Sequence, residues 1–205
     1  TGAGSSINIT AGNPFLINPT SIIEVTLNVI HPFDGDLDIY LVGPNNCGTL
    51  ELTTDNGAGG DNYTNTVLST AGINSITTGS APFTGTYLPE GSISGIPNTD
   101  NYTTLPITPV NGCPINGAWS LRVFDDNVTD MGDLAGWSLA ITESFYQHDI
   151  TGSGNIQVTL SGANNSVATA TITNPSPGNN TYVTEVYDNT ACIQVDSVTV
   201  KVFDT

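Results

Sequence analysis

The feature that most constrains this chain is the alternation of apolar and polar residues in short runs. In "SIIEVTLNVI", Ile23, Val25, Leu27 and Val29 fall on one side of an extended chain, with Glu24, Thr26 and Asn28 on the other. Successive side chains of a strand point to opposite faces, so such a run is a strand with one face buried. "DLDIYLVG" repeats the pattern, with Leu37, Ile39 and Leu41 inward. "GTLELTT" follows across "PNNCG", which predicts a hairpin. "WSLRVFD" and "GWSLAIT" each carry a Trp followed by alternating apolar residues, and are expected to pair with each other. No run of Ala, Leu, Glu and Lys reads as a long helix, and the abundant Thr, Asn, Gly and Ser favour strands and turns. Many short strands separated by turn clusters specify an all-β sandwich or jelly roll.

Charge narrows the function. Two basic residues, Arg122 and Lys201, stand against nineteen acidic ones, a formal net charge of −17 over 205 residues. Such a surface repels phosphate backbones and anionic membranes, which argues against nucleic acid as a partner. Self-repulsion would keep the chain soluble, or the carboxylates would collect divalent cations, and the two are compatible. No stretch approaches ~18 consecutive apolar residues, so no membrane span is expected. No signal peptide is visible in the sequence, which starts at "TGAGSS" and is expected to be a mature or excised piece of something larger.

Four motifs occur in order between Val25 and Thr142: "VTLNVIHPFDGDLDIYLVGP", "GGDNYTNTVLS", "APFTGTYLPEGSI" and "NGAWSLRVFDDNVTDMGDLAGWSLAIT". Together they resemble the P domain, or Homo B domain, which follows the catalytic domain of proprotein convertases and recurs in secreted bacterial proteins. The resemblance implies a jelly-roll-like β-sandwich with no catalytic role of its own. It also implies a secreted or cell-surface setting, contacts with neighbouring domains of the same protein or with other surface proteins, and bound calcium. Neither residues nor resemblance set an oligomeric state.

Composition shifts near Phe145, which places a P-domain-like unit at 1–145 and a smaller β-domain at 146–205. "FYQHDITGSG" reads as a linker or first strand, and "IQVTLSG", "SVATATIT", "TYVTEVYD" and "DSVTVKVFDT" as four more strands. The end is similar to the closing hairpin of immunoglobulin-like repeats in large bacterial surface proteins, with Ala191-Cys192 where Gly-Cys is usual. The alternative is that these strands complete the first domain.

The stretch from Gly57 to Gly112 is long and poor in regular pattern, and ordering it costs entropy that a bound metal would offset. Calcium takes six to eight oxygens from carboxylates, amides and carbonyls. "DGDLD", "DNGAGGDNYTN" and "DDNVTDMGD" offer such oxygens at turn spacing, without the terminal Glu of an EF-hand. The expected ligands are Asp36, Asp61, Asp125, Asp126 and Asp133, with Asp61 and the Asp125–Asp126 pair foremost. Asp36 and Asp133 also read as turn residues of "GDL", and Asp34 or Asp55 is expected to cap its own turn.

Catalysis finds no support. His31 matches the strand-end histidine of the resemblance, and His148 lies in the expected linker. No Gly-x-Ser-x-Gly elbow or His-Glu-x-x-His motif is present. Tyr63, Phe83, Tyr87 and Tyr102 could stack on a glycan, but Phe83 and Tyr87 are expected to pin their loop to the sandwich, and both Trp residues to lie in the core. Cys47 and Cys113 would pair in an exported chain, leaving Cys192 over, or all three would be unpaired. Three functions follow: an accessory module, an adhesive or structural unit of a surface protein, and a carbohydrate-binding module.

Overall fold

Alternation becomes layers in the computed structural model, which describes residues 2–10, 15–95, 104–127, 129–142, 147–161, 167–187 and 192–203. The fold is all-β, and among the described residues the only helical pieces are three 3-10 turns. Clustering of the backbone divides the chain into two compact units, Thr1–Glu143 and Ser144–Thr205.

The first unit is a sandwich of two four-stranded sheets. One sheet runs in the order β1 (Gly2–Ile9), β7 (Gly117–Asp125), β3 (Leu37–Val42), β4 (Thr49–Thr54). The other runs β6 (Phe83–Tyr87), β5 (Tyr63–Ser69), β2 (Ile22–Ile30), β8 (Asp133–Thr142). Their inner faces share one core: Ile23, Val25, Leu27 and Val29 of β2 meet Leu37, Ile39 and Leu41 of β3, with Trp119 and Leu121 of β7. Each fully buried aliphatic side chain contributes about 1.5–3 kcal/mol. Phe83 stacks on Tyr63 with ring centres 4.8 Å apart, and Tyr87 meets Phe83 edge-on at 5.9 Å. These contacts pin the middle segment to the core.

Three expectations need correction. "WSLRVFD" and "GWSLAIT" do not pair: β7 bonds to β1 and β3, and β8 bonds to β2 in the opposite sheet. Both strands bury apolar side chains toward the same core, so the shared pattern marks a common interior rather than neighbouring strands. Trp137, on edge strand β8, is only half-buried, whereas Trp119 is fully buried. The middle is also more regular than its sequence suggested, because β5 and β6 lie there as a parallel pair. The β3–β4 hairpin forms as expected. Every residue of β3 is buried, because its outer face is also covered: Thr104 N–H donates to Tyr40 Oη at 3.0 Å.

Cys47 and Cys113 form a disulfide with Cα atoms 5.6 Å apart, while the side chain of Cys192 lies outside the described residues, as do Tyr102 and Phe145. Beside the bridge, a Cβ on Gly48 would fall 2.1 Å from the Pro109 carbonyl oxygen, so only glycine lets these segments meet.

The second unit holds a three-stranded sheet, β13 (Cys192–Val202), β12 (Gly178–Tyr187), β9 (Gln147–Thr151), and a two-stranded one, β10 (Asn155–Ser161) with β11 (Val167–Thr173). β12 and β13 form the expected closing hairpin. Among its described residues only Tyr182 and Asn180 are buried. Asn180 Nδ2 donates to the Ser176 carbonyl at 2.7 Å, and its Oδ1 accepts from Ser153 Oγ.

Candidate functional site

The acidic residues concentrate on the turn between β2 and β3. Pro32 cannot extend the ladder of β2, and residues Asp34–Asp36 form a 3-10 turn that delivers the chain into β3. The turn is fastened to the following loop: Asp34 N–H donates to Gly60 O at 2.8 Å and Gly35 N–H to Ala58 O at 2.9 Å. Gly57, at φ +95°, lets that loop close over Asp34, where a Cβ would come within 2.9 Å of the Asp34 Cβ.

This closure buries carboxylates. Asp34 is fully buried; its Oδ1 accepts from Asn62 N–H at 2.9 Å, and its Oδ2 has no hydrogen-bond partner. Burial pushes its carboxyl up to about 6, with Asp61 adding to the rise and the Asn62 bond and His31 opposing it. Asp36 is 8% exposed, and its Oδ2 is also without a partner. Burial raises its pKa, Asp126 and Asp130 raise it further, and the Asn127 side chain and His31 lower it. Asp38 is shifted upward by burial too, although Thr104 Oγ1 donates to its Oδ2. A buried, unpaired carboxylate oxygen is costly unless a proton or a cation meets it.

The expected ligand set is divided among three places. Asp61 is exposed beside Asn62 and acts on Asp34. Asp36 and Asp126 belong together: Asp126 N–H donates to the Asp36 carbonyl at 3.0 Å, and the Asp126 charge adds to the upward shift that burial gives Asp36. Asp125 and Asp133 instead line a cleft with His31. Asp125 Oδ1 accepts from Asn127 N–H at 3.1 Å, and its Oδ2 lies 3.8 Å from His31 Nε2. Among the described residues, no three His, Cys, Asp or Glu side chains converge closely enough to hold a metal by themselves.

Compared with protein-family models, characterised proteins and solved structures, the chain matches none.

Sequence reasoning undervalued two residues. Asp34 does not cap its own turn but reaches across to Asn62, and His31 binds that same residue, its N–H donating to Asn62 Oδ1 at 2.9 Å.

Proposed function

We propose that the chain is a non-catalytic, calcium-binding accessory module of a secreted or cell-surface protein, its first unit a P domain that contacts and stabilises neighbouring domains. The four ordered motifs support the family reading. The observation that carries the calcium reading is the pair of buried carboxylate oxygens, on Asp34 and Asp36, left without partners in a turn surrounded by Asp61, Asp126 and Asp130.

Calcium suits such a place because it accepts neutral oxygens beside carboxylates. Asp36 and Asp126 would hold it with the Asn127 amide, carbonyls and water supplying the rest; Asp34 with Asp61 forms a second acidic station. The ion would supply charge: it would neutralise carboxylates that burial otherwise forces toward protonation, and tie the β2–β3 turn to the end of β7.

Thermal melts in calcium and in excess chelator test this. Calcium at ~100 times its dissociation constant should add roughly 2.7 kcal/mol, a rise of roughly 5–10 °C. Asp36→Asn and Asp126→Asn should each lose most of that rise. An identical melting temperature in calcium and chelator for the unaltered chain would remove the calcium reading and leave the family reading untouched.

A second reading, a structural unit of a large surface protein, draws on the second unit. Among the described residues of its five strands only Tyr182 and Asn180 are buried, as in a repeat that depends on its neighbours. Sequencing the flanking gene for a protease domain or an array of β-repeats separates the two.

A further inference from the structure

The β10–β11 ribbon of the second unit is open to pairing with a further strand. Its strands run antiparallel, from Asn155 opposite Thr173 to Ser161 opposite Val167, and among the described residues each bonds only to the other. Each therefore keeps a free edge of backbone donors and acceptors, and a two-stranded ribbon is marginal by itself. Edge strands are ordinarily defended by charge or proline. In the same unit β9 carries His148 and Asp149, and β13 carries Asp196 and Lys201. β10 and β11 carry neither charge nor proline. No charged residue occurs from Ile150 to Thr184, the longest uncharged stretch of the chain.

Pairing sorts the ribbon into two faces. Ile156, Val158 and Leu160 stand opposite Ile172, Ala170 and Ala168, so one face is apolar along its length. The other face holds Gln157 and Thr159 opposite Thr171 and Thr169. The apolar face is only partly covered: Val158 is 36% and Leu160 42% exposed. Ala168 shares a cleft of about 420 Å³ with Ile150, Val186 and Val198. Val198 is 59% exposed, although Tyr182, opposite it in the β12–β13 ladder, is buried. The ribbon thus brings an apolar face to the unit but too few strands to close a core with it.

We propose that two copies of this chain associate through the free edge of β11, joining their ribbons into one four-stranded sheet. The strand is complementary to itself. Antiparallel pairing about Ala170 sets Ala168 opposite Ile172 of the second copy, and Thr169 opposite its Thr171. Ala168, Ala170 and Ile172 of both copies then share one face and the threonines the other, with no slip of the pleat. Thr–Thr pairs across strands are favourable, and a two-fold contact of this kind closes on itself. Val167, Thr169, Thr171, Ile172 and Thr173 are β-branched, the side chains that suit a strand. Charge selects the place as well. Two chains of −17 repel each other, and approach is opposed least where the surface carries no charge. The association is independent of both readings of function above, since calcium has no part in it.

The test is sedimentation equilibrium of the full chain over a concentration series, in chelator. The unaltered chain is expected to form a species of two chains. It should do so more tightly in ~1 M than in ~0.1 M salt, as the screening length falls from ~10 to ~3 Å. Hydrogen exchange on the same samples should slow at the β11 amides as concentration rises and stay unchanged at β13. Thr169 and Thr171 are exposed, so Thr169→Lys with Thr171→Lys should leave the melting temperature unchanged. That variant sets like charges directly opposite each other twice and should weaken association ~10-fold or more. Thr169→Glu with Thr171→Glu should do the same, and an equimolar mixture of the two variants should pair again. A single-chain mass at every concentration and salt overturns the proposal. So does association that salt weakens, protection that does not reach β11, undiminished pairing by either charged variant, or a mixture that pairs no better than its parts.

Discussion

Asn62 N–H donates to Asp34 Oδ1 at 2.9 Å, and among the described residues nothing bonds the other oxygen of this buried carboxylate. The folded chain therefore holds Asp34 in a place that favours the protonated acid, with its carboxyl pushed from 3.8 up to about 6. The unfolded chain releases that proton first as pH rises, so folding takes up a proton between these values. In chelator, the Asp34 contribution to stability is expected to be full below about pH 4, to fall between about pH 4 and 6, and to be lost above that. Burial shifts Asp36 and Asp38 the same way and adds to the fall. The Asp34 share is about 3 kcal/mol at most. Urea titrations across this range check it, and Asp34→Asn should flatten the profile.

The disulfide should matter more than any single side chain of the surface. It joins Cys47 and Cys113 over a sequence separation of 66. Closing a loop of that length in the unfolded chain is worth about 4 kcal/mol by chain entropy. Cys47→Ser with Cys113→Ser is expected to lower the melting temperature by roughly 10 °C or more. Scanning calorimetry with and without reductant would show the same loss in the unaltered chain.

Phe83 holds the middle segment against the core through Tyr63 and Tyr87. Phe83→Ala should cost about 3–5 kcal/mol, the range for a buried aromatic. Tyr63→Phe removes only the hydroxyl that lies 3.3 Å from Thr53 Oγ1 and should cost about 1 kcal/mol. Denaturation midpoints of the two variants would rank them; equal losses would mean the stack contributes little.

The two units should open at different free energies. Most inward residues of β2, β3 and β7 are fully buried, whereas in the second unit Val195, Val198 and Val200 are all more than 40% exposed. Backbone amides of β12 and β13 are expected to exchange well before those of β2 and β3. Hydrogen exchange read by mass spectrometry on the full chain measures the difference.

Strands with strong alternation were legible because burial on one face leaves a period of two. β2 and the β3–β4 hairpin are the clearest cases. β1 was not legible: "GAGSSINI" is poor in strand-forming residues, and it is extended because β7 offers it an eight-residue ladder. β5 and β6 were hidden because Asn, Thr and Gly dominate their exposed positions, and only Tyr63, Leu68 and Phe83 betray a core face. The acids were legible as a set but not as three separate groups. That division depends on which face of the chain each acid takes as well as on its strand, so Asp125 and Asp126, adjacent at the end of β7, belong to different groups. Burial of Asp34 was hidden as well, since it is produced by the Gly57–Gly60 loop folding over the turn.

The bridge between Cys47 and Cys113 also fixes how the protein would respond to force. Tension applied along the chain passes directly from one sulfur to the other. The span between them, ~230 Å if fully extended, lies outside the line of pull and cannot lengthen while the bond is intact. That span contains β4, β5, β6 and the loop that buries Asp34. In a protein stretched at a surface, this segment would be shielded from extension, and only the chain on either side could pay out.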